Sequence, residues 1–231
     1  MKPDKKNSNN LTNLKLILRA LRHRNYRLFF TGQSISLIGT WMQQVAVAWL
    51  AYRLTNSPFL LGIVGFAGQI PTFLFSPFAG VFADRHNRRN MLVITQILSL
   101  VQALILSLLI LTGHIQVWQI ITLSALLGVI NSFDIPIRQA FTVEMIEDRE
   151  DLGNAIALNS SMVNAARLIG PSIAGILIAS VGEGPCFLLN AISYIPVIAS
   201  LLAMKVSVKE TRPQKRHIFL ELKDGFSYAF N

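Results

Sequence analysis

Residues Asn90 to Phe133, NMLVITQILSLVQALILSLLILTGHIQVWQIITLSALLGVINSF, run for 44 positions without an Asp, Glu, Lys or Arg. A helix needs about 20 apolar residues, rising about 1.5 Å each, to cross ~30 Å of hydrocarbon. The run therefore holds two crossings, with Gly113-His114 as the turn between them. Upstream lie two more charge-free stretches, Leu54 to Ala83 (30 residues) and Leu28 to Tyr52 (25 residues). Downstream, Gly153 to Val181 and Pro185 to Met204 are equally long and apolar, the first interrupted by one arginine. Membrane β-strands are excluded, because the runs do not alternate and are too long for a barrel.

These runs give six expected spans, at 28–52, 59–83, 91–111, 117–138, 153–181 and 185–204. The expected fold is an all-α integral membrane domain over 28–204, between a basic segment at 1–27 and a basic linker at 205–231 that begins an amphipathic helix. Only 14% of the residues are charged, against roughly 25% in soluble domains, which excludes a soluble enzyme. Cys186 is the single cysteine and has no metal-ligand spacing around it. No metal or cofactor is expected.

The net charge of +9 would suggest nucleic acid in a soluble protein, but here the basic residues are scattered over four cytoplasmic segments. Nineteen of the 21 Lys and Arg fall before the first span, after the second, at the end of the fourth or after the sixth. Arg53 alone falls on the other side, and Arg167 lies within a span. The positive-inside rule then places both termini in the cytoplasm, and an even number of spans gives the same placement. The first apolar run is longer than the ~7–15 residues of a signal peptide, so no cleavage is expected. Leu11 to Phe30 mixes apolar and basic residues at helical spacing, which suits either an anionic membrane surface or plain solvation.

Polar residues inside the spans are the candidates for function. Arg167 stands midway between Gly153 and Val181, where an arginine costs roughly 2.5–3.5 kcal/mol on insertion scales. It shares a helix face with Ser160 and Asn164, at i, i+4 and i+7; Asn159 lies off that line. This face either meets polar or anionic substrate groups or anchors neighbouring helices. In the first span, Gln33, Ser36 and Thr40 form a polar stripe, with Ser34, Trp41, Gln43 and Gln44 nearby, and the fourth span adds Asn131, Ser132 and Asp134. Interhelical hydrogen bonds average only about 0.6 kcal/mol, which favours an aqueous path over simple adhesion. Asp134 and Arg138, at i and i+4 near the expected cytoplasmic end of the fourth span, suit an ion-pair latch. Asp84 among Arg85, Arg88 and Arg89 suits another, and charge balance at the interface is the alternative. Gly170-Pro171, like Pro71 and Pro77, marks close packing and a bend. Pro77-Phe-Ala-Gly80 is echoed by Pro171-Ser-Ile-Ala-Gly175, a pattern of broken helices in paired repeats. His23, His86, His114 and His217 sit outside the spans, with no serine or acid partner in any pattern, so no enzyme is expected.

Gly80-Val-Phe-Ala-Asp84-Arg85-His-Asn87-Arg88-Arg89 resembles the loop signature of the major facilitator superfamily, G-x-x-x-D-R-x-G-R-R. Asn87 replaces the usual glycine and is expected to keep a left-handed turn. Leu21-Arg-His-Arg-Asn25-Tyr-Arg27, Gly32-Gln33, Leu54-Thr-Asn-Ser57-Pro58, Asp134-Ile-Pro136-Ile-Arg138-Gln139-Ala140, Asn154-Ala-Ile-Ala-Leu158-Asn159-Ser160 and Asn164-Ala-Ala-Arg167-Leu-Ile-Gly170-Pro171 resemble the enterobactin-exporter-like drug-efflux branch. The resemblance implies export of a small molecule, such as a siderophore, macrolide or drug, from a bacterial cytoplasmic membrane by alternating access. It also implies proton antiport, since Gly170-Pro171 is similar to the superfamily's antiporter signature, with Ala166 and Ala174 in place of two glycines. Asp84, Arg85, Arg88, Arg89 and Asp134 match the family's gating loop and its partner on the fourth span. Family members have two six-helix halves, and this chain holds the first. A second half is the expected partner, besides substrate and lipid, and without it no transport is expected. A membrane fragment that binds another membrane protein is the alternative.

Overall fold

The computed structural model describes residues 19–146 and 148–204, with backbone only at 81, 83–85 and 149. Most of the basic N-terminal segment, the linker at 205–231 and the side chains of Asp84 and Arg85 lie outside the described residues.

Six long helices follow a 3-10 turn at Arg19–Arg22. They are α1 (Arg24–Thr55), α2 (Pro58–Arg85), α3 (Arg88–Leu111), α4 (Val117–Glu144), α5 (Arg149–Val181) and α6 (Gly184–Ala203). Local sequence sets their ends. Asn56 stops α1 with φ 47°, a left-handed conformation that asparagine tolerates. Ser57 caps α2, with Pro58 in the first turn where no N–H is needed. Gln119 Oε1 accepts from Gln116 N at 2.8 Å at the start of α4. Asn87 differs from expectation: its φ is −66°, and its side chain accepts from Asn90 N to cap α3. An asparagine can cap a helix where glycine can only turn the chain, so the substitution changes the loop's device.

The helices overrun the expected spans, because charge-free runs locate hydrocarbon whereas helices continue until a cap or breaker stops them. Arg138 closes the expected fourth span, yet α4 continues to Glu144. The helix runs ten residues beyond Asp134, which is 5% exposed.

Among the described residues, five helices, α2 to α6, are long and apolar enough to cross a membrane. The polar stripe of α1 keeps that helix below the same threshold, although its 32 residues are ample in length. Packing runs in an arc: α5 lies on α1, α1 on α6, α6 on α3, α3 on α4 and α4 on α2. Glycines set the closest crossings. A Cβ at Gly32 or Gly39 of α1 would strike α6 at Val197 or Asn190, and one at Gly170 of α5 would strike Trp41 and Ile38 of α1. At Gly128 it would strike the Gly68 carbonyl oxygen, fixing α4 against α2.

Two large apolar clusters make up most of the core, with a smaller one of Leu37, Met162 and Ala166 between α1 and α5. One large cluster gathers Phe29, Phe141, Val197 and Leu201, and the other Leu50, Leu106, Ile120 and Phe187. Between them in sequence, on α1, α3, α4 and α6, lie buried polar side chains including Gln43, Gln102, Asp134 and Asn190. The two ends of the arc are the least covered. Only 17% of the apolar window of α2 and 22% of that of α5 are buried, against 39–44% in α3, α4 and α6.

Candidate functional site

A cavity of about 420 Å³ opens between α1, α2 and α4, with Gln102 of α3 at its inner wall. Two of the expected residues line it, Thr40 and Asn131. Gln33 and Ser36 do not: they are 2% and 1% exposed, within the helix packing. The stripe of α1 is therefore a buried seam at its start and a cavity wall from Thr40 onward.

The inner wall is a clasp of carboxamides. Gln43 Nε2 donates to Gln102 Oε1 at 3.0 Å, and Asn190 Nδ2 donates to Gln43 Oε1 at 2.7 Å. Gln102 Nε2 donates to the Leu123 carbonyl at 3.2 Å, and Ser193 Oγ lies 3.2 Å from Asn190 Oδ1. The clasp ties α1, α3, α4 and α6 with each buried amide engaged. Gln102 and Asn190 were missed from the sequence because each stands among apolar neighbours. A signal existed, since Thr95, Ser99 and Gln102 share one face of α3 at i, i+4 and i+7.

Asp134 belongs to a second polar cluster. Its Oδ1 accepts from Thr95 Oγ1 at 2.8 Å and Gln96 Nε2 at 2.7 Å, while Arg138 Nε stands 3.5 Å from its Oδ2. The expected i, i+4 partners thus face each other, and α3 supplies two donors that sequence reasoning did not name. Gln96 Oε1 is buried without a partner.

The basic loop is engaged on its own helices. Arg88 Nη1 donates to Glu144 Oε1 at 2.6 Å. Arg89 donates to the carbonyls of Leu201 and Leu202 at 2.6 and 2.7 Å, covering the last turn of α6, where the helix dipole is negative. Gly80 has open space where a Cβ would be.

Ser160, Asn164 and Arg167 lie on the exposed face of α5, away from the cavity, and Asn159 is half-buried beside them. Asn164 Nδ2 donates to the Ser160 carbonyl at 2.9 Å. Arg167 places its guanidinium carbon 5.3 Å from the Trp41 ring centroid, a cation–π contact. Gly170 is the crossing point of α5 on α1, and α5 runs unbroken through Pro171.

Ion pairs hold both ends of α1. Before it, Asp151 receives Arg19 Nε at 2.5 Å, Arg22 Nε at 2.9 Å and His23 Nε2 at 2.9 Å. Arg22 also pairs with Asp148, and Arg19 with Glu150 at 2.9 Å. His23, Asp148 and Asp151 bring possible metal ligands within 4.8 Å of one another. The two guanidinium groups already neutralise these carboxylates and would repel a bare cation. At the far end, Arg53 pairs with buried Glu183.

Residues 17–231 match the family described as transmembrane secretion effector. The staphyloferrin A transporter of Staphylococcus aureus is 31% identical over 204 residues, 87% of this chain and 51% of that protein. Macrolide efflux protein A of Streptococcus pyogenes is 25% identical over 79% of this chain and 44% of its own length. Multidrug resistance protein MdtG of a Rahnella strain is 32% identical over 80% and 50%. The chain spans about half the length of these relatives.

Proposed function

The chain belongs to the transmembrane secretion effector family of major facilitator transporters, and from that premise we propose that it is the N-terminal half of an exporter of small molecules. It is an integral membrane protein, and the proposal places it in a bacterial cytoplasmic membrane with both termini inside. The observation that carries the reading is the cavity between α1, α2 and α4, beside a clasp of engaged amides that fixes its inner wall. A second six-helix half closes the cavity against lipid and packs on the uncovered faces of α2 and α5. Transport then proceeds by alternating access, one half rocking on the other. Arg167 and Asn164 on α5 face the second half, where they meet polar groups of the substrate or of that half. The pairs Arg88–Glu144 and Asp134–Arg138 are the latch that is remade as the helices tilt. Export is coupled to proton entry.

The test is flux in proteoliposomes under an imposed proton gradient, with the 231-residue chain alone and with the preparation from the native membrane that holds both halves. Substrate-specific, gradient-driven flux is expected only from the second preparation. Flux from the chain alone overturns the requirement for a partner half, and its absence from both overturns the transport reading.

A further inference from the structure

Gln43 and Gln102 spend their amides on each other, on Asn190 and on Leu123. Gln44, Gln69 and Asn131 differ: each lines the same cavity, and none forms a hydrogen bond or ion pair with any described residue. They come from α1, α2 and α4 respectively, so three helices each present one unspent carboxamide to one space. A carboxamide offers an acceptor oxygen and two N–H donors and carries no charge. The rest of the lining is aliphatic side chains such as Val47, Leu61 and Leu127, together with glycines and small hydroxyls. No Asp, Glu, Lys, Arg or aromatic residue is among it.

That composition discriminates between ligand classes. A polycarboxylate stripped of water needs cationic donors, and a lipophilic cation needs a carboxylate or an aromatic face. The cavity offers neither, and the guanidinium of Arg167 rests over Trp41 on the α5 side, outside the lining. A volume of about 420 Å³ lies in the usual range for small-molecule sites, roughly 300–1,000 Å³. We infer that this wall selects an uncharged molecule with an apolar body and several hydrogen-bonding groups, and that Gln44, Gln69 and Asn131 determine that specificity. The inference rests on the transport reading only in taking this cavity as the substrate site.

The experiment is equilibrium binding of three radiolabelled probes to the 231-residue chain in lipid nanodiscs. They are chloramphenicol (neutral, with an amide and two hydroxyls), tetraphenylphosphonium (a lipophilic cation) and citrate (a tricarboxylate). Saturable chloramphenicol binding at least about tenfold tighter than either ion is expected, the ions finding no charged partner. Gln69→Leu and Asn131→Leu each weaken it about three- to tenfold, the worth of one hydrogen bond. Neither position has a hydrogen-bond or ion-pair partner among the described residues, so each variant is expected to keep the thermal unfolding midpoint of the unaltered chain. Gln69→Glu turns the preference toward tetraphenylphosphonium. Tighter binding of either ion to the unaltered chain, no chloramphenicol binding, or Leu variants without effect would each overturn the inference. The transport reading fails on a separate readout: selective binding without gradient-driven flux from the assembled preparation refutes transport and leaves the selectivity standing.

Discussion

Gln102 shows how much one side chain can hold in a chain that has traded water for lipid. It accepts from Gln43 and donates to the Leu123 carbonyl, so truncation strands a donor and an acceptor together. A buried group left unpaired costs about 1–3 kcal/mol. Gln102→Leu is expected to lower the stability in detergent by about that amount, read as a drop in the thermal unfolding midpoint. Replacing Gln43, Gln102 and Asn190 together by leucine should recover part of the loss, since no carboxamide of the clasp then remains to be left unpaired. A triple variant no better than the single one would show that the clasp acts through packing. Asp151 offers a second residue-level test. It is buried and binds Arg19, Arg22 and His23 at once. Asp151→Asn should release the turn before α1, and trypsin should cut after Arg19 and Arg22 several-fold faster than in the unaltered chain.

At the scale of the helix, sequence located the six long helices of the described residues but not their ends or neighbours. Charge-free runs identify where helices are, because lipid tolerates no unsatisfied backbone. They give no information on caps, so α4 runs six residues past Arg138, where the fourth span was expected to stop. The partners of Asp134, Thr95 and Gln96, come from α3, and a contact between helices has no signature within either sequence. Glycines were legible as small but not as close. Gly62, Gly65 and Gly68 repeat every three residues, yet only Gly68 approaches another helix. Gly128→Ala should therefore cost about 1–3 kcal/mol by forcing α4 off α2. Gly65→Ala, inside α2 with open space around it, should stabilise by about 0.5–1 kcal/mol through helix propensity. Equal effects at the two positions, in the same unfolding assay, would contradict the crossing described above.

Across the whole molecule, the outer faces of α2 and α5 are the unfinished surface. Phe66 is 65% and Ile176 70% exposed, whereas the native Cys186 is fully buried. Cysteines introduced as Phe66→Cys and Ile176→Cys should react with a membrane-permeant maleimide in the isolated chain and be protected once a second half is present. Unchanged labelling in the assembled preparation would place the partner elsewhere. The candidate site was half legible at this scale. Thr40 and Asn131 were named from polar stripes and line the cavity, whereas Gln69 was missed, although Gln69, Thr72 and Ser76 share one face of α2 at i, i+3 and i+7.

The glycine crossings of α1 also bear on how the chain is made. Gly32 meets Val197 and Gly39 meets Asn190, contacts that span 165 and 151 residues of sequence. At synthesis rates of about 5–20 residues per second, α1 leaves the ribosome roughly 8–30 s before its closest partner exists. It is also the one helix of the six too polar to rank as a span on hydropathy. Gln43 of a newborn α1 therefore gains its α3 partner, Gln102, after 59 residues and its α6 partner, Asn190, only after 147, so the clasp closes in two stages.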